Sequence, residues 1–130
     1  KYIVLDVAGR DSAEFRSALL TADVLIIPTQ PSQTDIEVLP FVLRLVNTAK
    51  QVNKNLKTFV VLNKAPTNNK STEIDAALEL LQQVKSVKTL NTILRDRKQF
   101  RDAMIEGKSV LEMGSSKAKD ELNEFLVEIL

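Results

Sequence analysis

Cysteine and histidine are both absent from the 130 residues. Without cysteine there is neither a disulfide framework nor a thiolate metal site. Without histidine, imidazole metal ligands, Ser-His triads and imidazole acid–base chemistry are excluded. Any chemistry therefore rests on carboxylates, Lys, Arg, amides and backbone groups. Glycine is scarce, with only Gly9, Gly107 and Gly114, too few and too scattered for a glycine-rich loop that wraps phosphates. No apolar run approaches the ~20 residues of a membrane span. A strong charge of one sign is missing too: 18 Lys and Arg against 17 Asp and Glu leave a net charge of +1. That balance gives no global pull toward nucleic acid or membrane, so DNA binding would need a local patch. The lack of cysteine fits a cytoplasmic setting.

What is present is ordinary for a globular chain. Hydrophobic residues make up 44% and charged residues 27%, a balance that supports a core and excludes wholesale disorder. The length suits a single domain over 1–130. A start at Lys1, one residue before an apolar run, is expected of a fragment or processed product. Three runs, "YIVLDV" (2–7), "DVLIIP" (23–28) and "TFVVLN" (58–63), are continuous rather than alternating, the pattern of strands buried on both faces. A fourth, weaker strand is expected in "VKTLNTIL" (87–94).

Helical spacing appears between and after these runs. Val38, Leu39, Val42, Leu45, Val46 and Ala49 recur every three or four residues, predicting a helix over 36–50. Ile74, Ala77, Leu78, Leu81 and Val84 repeat the pattern after the loop "APTNNKST", with Ser71 or Thr72 as cap. A further helix is expected over about 97–106, stopped by Gly107. A terminal helix with a Ser cap should present Leu122, Phe125, Leu126 and Ile129 inward and Asp120, Glu121, Glu124 and Glu128 outward. Strands alternating with helices imply βαβ units, hence an α/β fold with a mostly parallel sheet flanked by helices.

In such a sheet, ligands bind outside the carboxyl ends of the strands. Asp6, the group Pro28-Thr29-Gln30, and Asn63-Lys64 end the three apolar runs and should share one edge. Asp6 suits a hydrated Mg²⁺, Gly9 permits close approach of a backbone N–H to a terminal phosphate, and Asn63 offers the donor and acceptor that match a purine edge. Each has a plainer reading: Asp6 as a solvated strand-end carboxylate or helix cap, Asn63 as a turn residue, Lys64 and the Asn68-Asn69-Lys70 triad as surface. Their coincidence at the strand ends carries the argument.

The order and wording of "YIVLDVAGRDSAEFRSALLTADVLIIPTQPSQTDIEVL", "VVLNKAPT" and "ILRDRKQFRDAMIEGKSVLEM" resemble the ParA family of plasmid and chromosome partition ATPases, deviant-Walker P-loop NTPases that also include MinD-type proteins. The resemblance implies that Asp6 is the Walker B acid ordering Mg²⁺ and water, that 7–11 is switch II with Gly9 near the γ-phosphate, and that Asn63 reads adenine with Pro66 close to the base. It places Arg95 and Arg97 near the nucleotide and the dimer face. The family's KGGxGKT loop is absent. "GKS" at 107–109 lacks the glycine-rich loop and preceding strand, and reads as a helix stop before a short extended segment. The chain thus resembles the C-terminal portion of a P-loop NTPase-like domain lacking its N-terminal βα units, and alone should bind ATP poorly and hydrolyse essentially none.

For the intact protein the resemblance implies an Mg-ATP-dependent dimer, non-specific DNA binding, stimulation by a centromere-binding ParB-like adaptor, and a nucleoid-associated cytoplasmic location. DNA candidates are Arg95, Arg97, Lys98 and Arg101 in one segment, with Lys117 and Lys119 at the start of the terminal helix; a solvated helix face explains each cluster equally. A MinD-like membrane role is the nearest competitor, disfavoured by the acidic terminal helix. A non-enzymatic protein-interaction module is disfavoured by Asp6, Gly9 and Asn63 together. A dethiobiotin-synthetase-like enzyme is disfavoured by the lack of a small-substrate motif.

Overall fold

A computed structural model describes all of residues 1–130. Its regular elements are α1 (Ala13–Thr21), β1 (Val24–Thr29), α2 (Gln33–Lys50), β2 (Lys57–Ala65), α3 (Glu73–Gln82), β3 (Lys88–Arg95), α4 (Lys98–Ile105), a 3-10 turn (Val110–Glu112) and α5 (Lys117–Ile129). The strands form one all-parallel sheet in the order β1-β2-β3. The architecture is α/β, a parallel sheet flanked by helices.

Capping explains where the helices begin. Ser12, Ser32 and Ser116 hold extended backbone and accept from the N–H groups of Phe15, Asp35 and Lys119, satisfying donors that a helix start leaves orphaned. α2 therefore starts at Gln33, three residues before its apolar periodicity suggests. The periodicity reading does not anticipate α1: its nine residues bury only Phe15 and Leu19, too short a stripe to stand out.

β2 is the centre of the sheet, and Val60, Val61 and Leu62 are consecutively buried. Burial of successive residues requires cover on both faces, and each such side chain contributes roughly 1.5–3 kcal/mol. One cluster joins Phe15, Leu19, Val42, Val46, Ala49 and Leu56 between α1 and α2, with Leu25 and Ile27 of β1 packed on it. A second joins Ile36 and Leu39 of α2, Val60 and Leu62 of β2, and Ala77 and Leu81 of α3. A third, of Ala103, Val110 and Ala118, ties α4, the 3-10 turn and α5.

Three expectations need correction. Residues 2–7 form no strand: Tyr2, Ile3, Val4 and Leu5 are 75%, 85%, 90% and 58% exposed, and only Val7 packs on the α1–α2 cluster. An apolar run becomes a buried strand only with a paired neighbour and a layer on each face, and here it has none. Asp6 consequently ends no strand. The outward face assigned to α5 is also divided. Asp120 and Glu124 are exposed, but Glu121 is buried at 7% exposure and Glu128 bonds the backbone of β3. Finally, Gly107 does stop α4, with φ of 65°, but Ser109 opens a capped 3-10 turn rather than an extended segment.

Candidate functional site

Parallel order puts the carboxyl ends of β1, β2 and β3 on one edge, at Thr29, Asn63–Ala65 and Arg95. At the first, Thr29 is buried and the chain turns tightly into α2. The Ser32 N–H donates to the Gln30 carbonyl at 2.8 Å, and the Gln30 N–H donates to the Asp35 carboxylate at 3.3 Å. Asp35 lies in the first turn of α2, where the helix dipole favours a negative charge.

At the end of β2 the ladder is irregular. Leu62 pairs with Ile93 and Ala65 with Arg95, so β2 spends three steps where β3 spends two. The extra residue is a bulge at Asn63 and Lys64, and Lys64 adopts φ of 51°. Left-handed backbone is uncommon outside glycine, and bulges re-aim the side chains around them. Asn63 and Pro66 are both half-buried there.

Asp6 and Gly9 line a cavity of about 410 Å³ together with Phe15, Ile27, Thr29 and Asp35. Of the sequence-derived residues, Asp6, Gly9, Pro28 and Thr29 thus meet in one place, beside the carboxyl end of β1. Asn63 and Pro66 are not part of that lining and lie one strand over. A Cβ added at Gly9 would meet nothing within 4 Å, so nothing inside the chain demands glycine there. Asp11, at the end of the same segment, is tied to Arg16 of α1 by a two-point ion pair of 2.6 and 2.7 Å. The hydrogen bonds from Arg16 hold the Asp11 carboxyl below its ordinary range.

For a metal ion, no group of three or more acidic ligands comes together. Asp6, Asp35 and Thr29 line one cavity, and Asp6 and Asp35 are the residue type that could serve Mg²⁺, which keeps several waters and takes one or two carboxylates alongside phosphate oxygens.

Each of the four basic residues of 95–101 carries an ion pair. The Glu121 carboxylate accepts from Arg97 Nε at 3.0 Å, from an Arg97 terminal nitrogen at 2.7 Å, and from the Arg95 side chain and N–H, both at 3.1 Å. Burial pushes the Glu121 carboxyl up, but the bonds from Arg97 and Arg95 outweigh it and leave the group below its ordinary value. Lys98 pairs with Asp102 at 2.7 Å and Arg101 with Asp96. In the second cluster Lys119 donates to the Met113 carbonyl at 3.1 Å, while Lys117 is exposed. No helix is long and apolar enough to cross a membrane.

At this edge the sequence reading missed Asp35 and placed Glu121 on an outward face, whereas it is buried. Asp35 is signalled by its place three residues after Ser32, a helix-start pattern. Glu121 is signalled by its spacing of three and four from Ala118 and Phe125, which sets it on the packed stripe of α5.

No family model matches the chain. It is 28% identical over 132 residues to the maintenance of carboxysome distribution protein A of Halothiobacillus neapolitanus, covering 99% of this chain and 60% of that protein. The chain therefore spans less than two thirds of the length of this relative.

Proposed function

We propose that this chain is the nucleotide-edge portion of a ParA-type positioning ATPase. The observation that carries the reading is the meeting of Asp6, Gly9, Thr29 and Asp35 on one cavity at the carboxyl edge of an all-parallel sheet. The whole-chain likeness to a distribution protein supports it. In this reading Asp6 holds hydrated Mg²⁺, with the Thr29 hydroxyl and Asp35 as its neighbours. The Gly9 backbone approaches the terminal phosphate, and Asn63, turned by the bulge, reads the purine edge beside Pro66. Bound Mg²⁺ supplies neutralisation of phosphate charge. None of the 130 residues forms a phosphate-wrapping loop, so turnover requires one supplied from outside them.

The finer parts of the reading are an ATP-dependent dimer, non-specific DNA binding and an adaptor of the ParB kind. The cargo is a plasmid, a chromosome or another large body. Because the cations of 95–101 are already paired, DNA contact falls first to Lys117 and Lys119. One observation favours a second reading, a non-enzymatic interaction module: the apolar residues Tyr2 to Leu5 lie exposed, as protein-binding surfaces do.

The test is Asp6→Asn in the full-length protein. Asp6 is exposed, so stability should change by no more than about 0.5 kcal/mol, while Mg-ATP turnover falls at least about 100-fold. Unchanged turnover sinks the ATPase reading. Absence of Mg-ATP binding by the unmodified full-length protein hands the chain to the interaction-module reading.

A further inference from the structure

Arg95 on β3, Asp96 and Arg97 in the turn after it and Glu121 on α5 form a chain of bonds that reaches Ala65, two residues after the Asn63 that the proposed function assigns to the base. The bulge at Asn63 and Lys64 is held from both sides by β3: Leu62 pairs with Ile93, and Ala65 pairs with Arg95. Just beyond, the Asp96 N–H donates to the Ala65 carbonyl at 2.9 Å, and the Arg97 N–H donates to the Arg95 carbonyl at 2.8 Å. Arg95 and Arg97 in turn converge on the Glu121 carboxylate, which takes the Arg95 backbone N–H as well as both guanidinium groups.

A left-handed lysine in a strand is conformationally costly and persists only when its surroundings over-determine it. Ala65, fully buried, is the anchor on the downstream side. Its strand partner Arg95 is the residue whose backbone N–H Glu121 binds.

We infer that Glu121 is a positioning residue for base recognition: through Arg95 and Arg97 it fixes the end of β3, and so the bulge that aims Asn63. The inference rests on the proposed reading of Asn63. It assigns Glu121 no contact with nucleotide.

A merely structural role is separable, because α5 carries a second carboxylate on the same strand. Glu128 binds the N–H groups of Asn91 and Thr92 at 2.7 and 3.0 Å and the Thr92 hydroxyl at 2.8 Å. These groups lie upstream of Ile93 and away from the Ala65 pairing. Loosening α5 through Glu128 leaves the Arg95 anchor in place; loosening it through Glu121 does not.

The experiment measures ATP and GTP dissociation constants of the full-length protein by competition with a fluorescent nucleotide. The variants are Glu121→Gln, Glu128→Gln and Asn63→Ala. Glu121→Gln should cut the ATP-over-GTP preference about tenfold, approaching Asn63→Ala, since a misaimed amide forfeits the bonds that discriminate the base. Glu128→Gln should keep the preference whatever its thermal stability. If Glu121→Gln does not fold, Arg97→Lys, which keeps the charge but loses the fork, carries the same expectation. Equal loss in Glu121→Gln and Glu128→Gln overturns the inference, as does a preserved preference in Glu121→Gln. A preserved preference in Asn63→Ala overturns instead the reading of Asn63 on which the inference stands.

Discussion

Asn53 does the most at residue scale with the least. Its side-chain amide donates to the carbonyls of Leu19 and Ala22 at 3.0 and 2.8 Å, two acceptors that the end of α1 leaves without helical partners. One side chain in the turn after α2 thereby fixes where α1 stops and β1 begins. Asn53→Ala should cost about 1–3 kcal/mol, because partly buried carbonyls lose their donors without gaining water freely. Urea denaturation of the 130-residue chain checks this; a change below about 0.5 kcal/mol would mean that α1 is held by Phe15 and Leu19 alone. Asn53 and Glu121 were equally hidden in the sequence. A polar side chain announces its chemistry but not its partner, and these partners lie more than 20 residues away.

At the scale of elements, α2 combines a strong inner face with a conflict on its outer one. Ile36, Leu39, Val42, Leu43, Val46 and Ala49 are buried along it, yet Pro40 sits in its interior and is exposed. Proline removes the N–H that would bond the Ile36 carbonyl and crowds that carbonyl with its ring. Packing of the inner face outweighs this cost, which is why periodicity alone read the helix correctly across the proline. Restoring the N–H with Pro40→Ala should stabilise the chain by about 1–3 kcal/mol, seen as a raised urea midpoint at constant slope. A lowered midpoint would show that the proline itself is needed for the α2 to α3 packing. The same logic separates the strands that were legible from the run that was not. "DVLIIP" and "TFVVLN" found a strand neighbour and a covering helix layer, whereas "YIVLDV" is no less apolar and found no strand neighbour, with only Val7 reaching the helices. Composition reports what a segment tolerates; only the assembled layers decide whether it is buried. The carboxyl edge was legible through topology, since strand ends align in any parallel sheet. The bulge that shapes it depends on pairing register and was not.

For the whole molecule, the missing histidine sets the shape of the stability curve. With no imidazole, no side chain titrates at its ordinary pKa between about pH 5.5 and 7, so stability should be flat there. Below that range two carboxylates matter most, because both tie α5 to β3. Burial pushes the Glu128 carboxyl up, but the N–H groups of Asn91 and Thr92 and the Thr92 hydroxyl bring it below its ordinary value, and Glu121 is lowered likewise. In the unfolded chain both return to about 4.3. The unfolded state therefore binds more protons than the folded one as the pH drops through that value. The stabilisation is fully present above about pH 4.3 and is lost as the pH falls through the lower folded values. Urea midpoints measured from about pH 6 to pH 3 should thus hold level and then fall. Glu121→Gln/Glu128→Gln should start from a lower plateau and fall less steeply, having no proton to gain at either position. Parallel acid limbs in the two proteins would place the acid sensitivity elsewhere, first at the exposed Asp11–Arg16 pair, and would mean that α5 stays on β3 without the charge of these two carboxylates.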